Sequence, residues 1–287
     1  MAQLSLGSSY SLAATIDTQG GSAFYVTCGL LAVWTVISTL EWIFNFELLK
    51  SEHILSWRVM SLRPGMLYQS RWSALLFSDR ATAGMLMIRL LAGFGLLFPN
   101  TLVATSCLVV VALSSWFLSV RTGLGGDGSD QMGYIASVGA LLMGAGMLLQ
   151  NHAVTLAGVL LIASQLTLSY FIAGFSKALS STWRSGFALP GVMDTHNYGH
   201  DLAARVSKSS SSFARTFCWS VILGETLFPF SLLLPTSLLL VVLFGFALFH
   251  VSNAYFMGLN TFVWAFFAAY PSVLLLSRII RMTVGLG

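Results

Sequence analysis

Apolar residues in this chain come in long runs separated by polar stretches. A helix needs roughly 20 predominantly apolar residues to cross a bilayer. Eight runs approach that length: 22–45, 82–98, 102–120, 132–149, 153–176, 216–233, 236–257 and 260–280. Residues 1–21 have neither Lys nor Arg and no apolar core, so they read as a polar, partly ordered tail and not as a cleavable signal peptide. Residues 46–81 mix Trp57, Met60, Leu67, Tyr68, Trp72 and Leu75 with Arg58, Arg63, Arg71 and Arg80. That mixture predicts helices lying in the interface plane, broken at Arg63-Pro64-Gly65. Residues 181–215 are similar at both ends and carry a serine run, Ser207 and Ser209 to Ser212 around Lys208, that reads as a flexible tether. No unit of about 20 to 50 residues repeats, which excludes a solenoid. The pattern predicts an all-α integral membrane protein. Its parts are a polytopic bundle of about eight transmembrane helices over 22–280, accessory interfacial helices, and a short tail at 281–287.

Composition supports lipid as the main solvent. Of 287 residues, 56% are hydrophobic and 8% charged, against about 25% charged in soluble domains. So few charges could not cover a globule in water, which sets aside disorder, a collagen-like fibre and a free cytosolic enzyme. The 21 Phe and 8 Trp suit helix contacts and interface anchoring. A net charge of +4 does not make a nucleic-acid binder, because no dense basic face with exposed aromatic platforms accompanies it. With eight spans, Lys50, Arg58, Arg63, Arg71, Arg80, Arg121, Lys177, Arg184, Arg205, Lys208 and Arg215 fall on one side and only Arg281 on the other. The positive-inside rule then puts the long loops in the cytoplasm and both termini outside. Cys28, Cys107 and Cys218 lie far apart in apolar runs and read as buried thiols.

Ionisable groups at membrane depth need a partner or a role. Those at issue are Glu41, Arg89, Gln165, Lys177, Glu225, His250 and Asn253. Glu41 and Glu225 have Arg89 and Lys177 as available partners. On a helix, Tyr170, Ala173, Gly174 and Lys177 share one face. The small residues admit a neighbouring helix, so Lys177 points into a packed bundle, where a desolvated amine can act as a base. The alternative is a lysine snorkelling to head groups. Asp127 and Asp130, in the Gly-rich stretch 123–131, could ligate a hard cation or simply cap the following helix; no firm metal site emerges. His196 and His200, in MDTHNYGHD, read as an ordinary loop. His250, Asn253 and Met257 share a helical face and suggest an inward polar cluster.

The segments YFIAGFSKALSSTWRSGFAL (170–189), GDGSDQ (126–131) and FHVSNAYFMGLNTFVWAFFAAYP (249–271) resemble the HTTM domain, the membrane domain shared by vitamin K-dependent gamma-carboxylase and many bacterial relatives. In the carboxylase the matching lysine deprotonates reduced vitamin K. The resemblance therefore implies a carboxylase-like enzyme in a bacterial cytoplasmic membrane, a quinone-type cofactor, and Lys177 as base. By the same resemblance Trp183 and Gly186 take supporting positions; beyond it, the helical faces described above add His250 as a supporting residue and Tyr170, Gly174, Gly186 and Asn253 as cofactor-binding positions. Ser176 stands where the carboxylase has a second lysine, and Asp130-Gln131 where it has a histidine. The rival expectation is a non-catalytic accessory subunit of a membrane complex, with runs such as VWAFFAAY (263–270) packing on partner helices.

Overall fold

A computed structural model describes residues 2–50, 53, 55–63, 70–123 and 126–286; within it the side chains of 2–14, 17 and 71 are left out of the description. The described secondary structure is helical throughout. In chain order the helices are α1 (Ala2–Phe44), α2 (Trp57–Met60), α3 (Arg71–Leu76), α4 (Asp79–Gly95), α5 (Thr101–Thr122), α6 (Gly128–Leu148), α7 (His152–Leu179), α8 (Ser181–Ser185), α9 (Ala188–Met193), α10 (Asp201–Ser209), α11 (Ser211–Leu227), α12 (Thr236–Met257), α13 (Asn260–Phe267) and α14 (Tyr270–Val284). Short 3-10 turns occupy Phe46–Leu49 and Phe228–Leu233.

Among the described residues, seven segments are long and apolar enough to cross a membrane: Thr18–Phe44, Thr101–Thr122, Gly128–Leu148, His152–Leu179, Ser211–Leu233, Thr236–Met257 and Asn260–Val284. The protein is an integral membrane protein built as an all-α bundle. The eighth expected run, 82–98, differs. It lies in α4, which has 17 residues and spans about 26 Å at ~1.5 Å per residue, short of a hydrocarbon core of ~30 Å. The expected polar tail also differs: α1 is helical from Ala2. No proline occurs before Pro64, so nothing in that stretch breaks the backbone ladder. Of the expected interfacial break, Arg63 ends a turn after α2, whereas Pro64 and Gly65, with Leu67 and Tyr68, lie outside the described residues.

The chain divides into two compact units. The first comprises residues 16–158 with 264–268. Its helices meet through small residues, as expected where lipid supplies no hydrophobic drive and close backbone approach gives the contact energy. A Cβ added at Gly158 on α7 would strike the Gly139 carbonyl and come within 2.8 Å of the Met143 backbone nitrogen on α6. Gly133 on α6 gives its space to the Trp34 indole of α1. The described parts of the 46–81 connection are held against the end of α5, a contact that the expectation of interface-lying helices did not include. Arg121 is fully buried and donates to the Leu55 carbonyl at 2.6 Å and the Leu49 carbonyl at 2.7 Å, with Asp79 at 3.5 Å. Trp57, Met60, Phe77 and Phe117 form a core there, with Trp57 stacked on Phe77 at 4.3 Å. In α3 an apolar face is turned outward at Trp72, Leu75 and Leu76, and this does suit an interface.

The second unit comprises residues 1–15, 159–263 and 269–287. In it α14 packs on the 3-10 turn after α11, and Ser277 donates to the Leu232 carbonyl at 2.8 Å. The expected tether at 207–212 is a junction of two helices: α10 runs to Ser209, and the Ser210 hydroxyl accepts from the Phe213 amide at 3.2 Å to cap α11. Serine is a favoured N-cap because its side chain satisfies an amide that the helix leaves orphaned.

Replacing Gly158 by Val should force α6 and α7 apart. We expect a loss of about 1–3 kcal/mol, typical of overpacking, read as a lower unfolding temperature in detergent, whereas Gly84→Val, where an added Cβ meets nothing, should cost much less.

Candidate functional site

The last turns of α7 carry the face expected from the sequence. At Gly174 a Cβ would come within 2.5 Å of the Thr226 backbone nitrogen and 2.7 Å of the Glu225 Cβ. Glycine here lets α11 cross in near contact, and that crossing brings Glu225 to Lys177. The Lys177 ammonium Nζ donates to Glu225 Oε2 at 2.6 Å, with side-chain exposures of 20% and 5%. The same nitrogen stands over the Trp183 ring, 5.2 Å from its centroid, a cation–π contact that strengthens as water is excluded. Trp183 is placed by α8, which folds back on the end of α7: Arg184 donates to the Ala178 carbonyl at 2.8 Å and the Leu179 carbonyl at 3.1 Å. These are carbonyls that a helix end otherwise leaves without partners. Trp219 on α11 fastens α8 by donating its indole N–H to the Arg184 carbonyl at 3.1 Å.

Lys177, Glu225, Trp183 and Asn253 share one cavity of about 850 Å³ within the second unit. Most of its wall is apolar, from Phe213 and Phe217 on α11, Phe246, Phe249 and Phe256 on α12, and Val192 and Leu202 on α9 and α10. Its polar groups are few and include the Lys177–Glu225 pair. Pockets for small molecules commonly measure about 300–1,000 Å³ and have this composition, apolar walls with a few convergent polar groups.

No family model, curated protein or solved structure matches this chain. Function is therefore argued from the site, not by analogy of fold.

The remaining expected residues separate into three groups. Tyr170 and His250 are both buried, and the Tyr170 hydroxyl and His250 Nε2 lie 2.8 Å apart in a hydrogen bond. Tyr170 also packs against Phe246 at 4.3 Å and Phe228 at 4.6 Å. His250 thus ties α12 to α7 behind the cavity wall, whereas Asn253 and Met257 line the cavity itself. Gly174 and Gly186 each meet a demand of backbone geometry. Gly186 has φ of +90°, and a Cβ there would come within 2.7 Å of the Arg215 Cα, a conformation and a space that only glycine tolerates well. Asp127 and Asp130 belong to the first unit and form a capping box on α6: the Asp127 carboxylate accepts from the Ser129 amide at 2.8 Å and the Asp130 amide at 3.0 Å, and Asp130 accepts from the Asp127 amide at 3.3 Å. Each carboxylate takes part in capping α6. His200 meets the rings of Tyr255 and Phe256 at 5.9 and 5.3 Å.

Glu225 is the site residue that the family resemblance did not supply, although its place in an apolar run had marked it as a partner for a buried cation. Its pairing with Lys177 changes the chemistry available. Glu225 Oε2, 2.6 Å from Nζ, is the neighbouring group placed to take a proton from Lys177.

Removing one partner strands the other in an apolar wall. Glu225→Gln should lower stability by roughly 1–3 kcal/mol, the usual penalty for a buried charged group losing its hydrogen bond. Combined with Lys177→Met it should cost less than the two single changes summed; thermal unfolding of the three variants in detergent measures the coupling.

Proposed function

We propose that this protein is a membrane enzyme of HTTM type that takes a lipid-soluble, quinone-type molecule into the cavity beside Lys177. The observation that carries this reading is a cavity of about 850 Å³, apolar over most of its wall, with the 2.6 Å Lys177–Glu225 pair set into it. The residues present suit such a molecule: phenylalanines for a ring and its apolar tail, with Lys177, Glu225 and Asn253 for oxygen atoms. A bound quinol would supply redox-active hydroxyl groups. When a proton from Lys177 lies on Glu225, Lys177 Nζ has a lone pair that can take a proton from such a hydroxyl. Trp183 then faces the ammonium so formed, and Asn253 offers an amide donor and acceptor for orientation.

The accessory-subunit reading has one observation of its own. Among the described spans helix α12 is the least buried, with 17% of its apolar window covered, and it presents Leu240, Phe244 and Tyr255 outward. Such a face can meet lipid or a partner helix.

Difference absorption spectra on adding a short-chain menaquinone, under oxidising and reducing conditions, test the enzyme reading. We expect saturable binding by the native protein, at least about tenfold weakening in Lys177→Ala from loss of one charge-assisted contact, and retention of assembly. Absence of saturable binding, or a Lys177→Ala protein that binds and turns over as well as the native one, would sink it in favour of the accessory role.

The stretch 177–215 carries Lys177, Arg184, Arg205, Lys208 and Arg215, which favours the cytoplasmic face of a bacterial membrane for the Lys177 end of α7; the wider count made for eight spans does not carry over to seven. An exposed cysteine introduced by Ser209→Cys should react with a membrane-impermeant maleimide in inverted vesicles and not in intact cells. The reverse pattern would overturn the orientation.

A further inference from the structure

A second polar site lies in the first unit, where the Lys177 cavity plays no part. Arg89, in the middle of α4, is 2% exposed, and neutral groups hold its guanidinium. Nε donates to the Thr39 hydroxyl at 3.1 Å. Nη1 donates to the Val111 carbonyl at 3.2 Å and to the hydroxyls of Ser114 at 3.0 Å and Ser115 at 2.6 Å. Nη2 donates to the Ser38 hydroxyl at 3.3 Å. The guanidinium carbon lies 5.0 Å from the centroid of the Trp34 ring. Among the described residues no carboxylate stands within ion-pair reach of Arg89. Such hydrogen bonds fix where the charge sits without cancelling it, and an uncancelled charge in a low-dielectric interior is strongly unfavourable.

Beside Arg89 opens a cavity of about 140 Å³. Asp130 lines the same cavity, near enough for its charge and that of Arg89 to act on each other. Rings of Trp34, Trp42, Trp116 and Tyr134 make up much of the rest, and the Trp34 indole N–H has no partner among the described residues. Ser119, Thr122 and Gly126 also line it, which places it where α5 ends and α6 begins. Trp116 and Tyr134 are 47% and 37% exposed there, the position that aromatic residues favour at the membrane–water boundary.

We propose that this cavity binds a small zwitterion, its oxyanion directed to Arg89 and its ammonium to Asp130 and the tryptophan faces. Complementarity selects that class. A simple anion would answer Arg89 but face the Asp130 carboxylate, and a simple cation would do the reverse. A ligand with both charges answers both, and aromatic rings attract an ammonium through their negative faces. The chemistry is shared by the phospho-ammonium head group of a membrane lipid and by a free betaine or amino acid.

The test uses the full chain purified in maltoside and titrated separately with dihexanoylphosphatidylcholine, glycine betaine and dihexanoylphosphatidylglycerol, the last having the phosphate but no ammonium. Tryptophan emission and native mass spectrometry read binding. We expect at least one of the two zwitterions to saturate and phosphatidylglycerol to bind at least about tenfold more weakly. Asp130→Asn and Trp42→Ala should each weaken the zwitterion by a similar factor, the loss expected of a charge-assisted contact. Saturation by the choline lipid alone identifies a head group, and saturation by betaine identifies a soluble ligand. Because Asp130 also caps α6, Trp116→Ala at the exposed mouth provides the same reading if Asp130→Asn fails to fold. No saturation by either zwitterion, equal binding of phosphatidylglycerol, or unchanged binding in both the Asp130 and tryptophan variants overturns the proposal.

Discussion

Hydrocarbon offers no hydrogen bonds, so a charge that enters a membrane bundle must find its partners inside the protein. Three cations of this chain show how far that constraint reaches. Arg121 gathers the Leu49 and Leu55 carbonyls and thereby holds those two points of the chain against α5. Arg89 links hydroxyls on α1 and α5 to the middle of α4. Lys177 meets Glu225 across the α7–α11 crossing. In each case the position of helices or loops is the solution to a desolvation problem posed by one side chain.

The second constraint is steric. Lipid tails are as apolar as leucine, so helices associate through close packing rather than through exclusion of water. Gly158 at α6 and Gly174 at α11 leave no room for a Cβ. The two constraints combine at Gly174: close approach there sets the distance between Lys177 and Glu225, and a bulkier residue would lengthen the ion pair while also disturbing the packing.

The two cavities differ in chemistry because their cations are treated differently. Lys177 has a direct carboxylate partner in a large, mainly apolar cavity, an arrangement in which a proton can move along a short hydrogen bond. Arg89 is fixed by neutral acceptors and faces Asp130 across a small cavity edged by aromatic rings. Guanidinium does not give up its proton in proteins, so that site can recognise charge but not transfer it.

Much of the architecture was legible in the chain, because a run of some twenty apolar residues has one favourable solution in lipid whatever its neighbours do. The all-helical class, seven of the eight spans and the inward direction of Lys177 follow from run length and from the Tyr170, Gly174, Lys177 spacing. Where a run was shorter or more polar the same arithmetic was weaker: 82–98 proved to be a 17-residue helix carrying Arg89, and the polar first 21 residues continue α1. Partner choice was not legible. Both Glu225 and Glu41 offered a carboxylate to Arg89 or Lys177, with Glu41 near the end of its run and so read as interfacial, and only the crossing at Gly174 selected Glu225 for Lys177. Likewise His250 and Asn253 lie on one helical face, yet tertiary packing turned His250 to Tyr170 and left Asn253 in the cavity. Local pattern determines which segments leave water, since that depends on each segment's own composition. Which buried groups then meet depends on contacts between residues distant in the chain, and those exist only once the helices have packed.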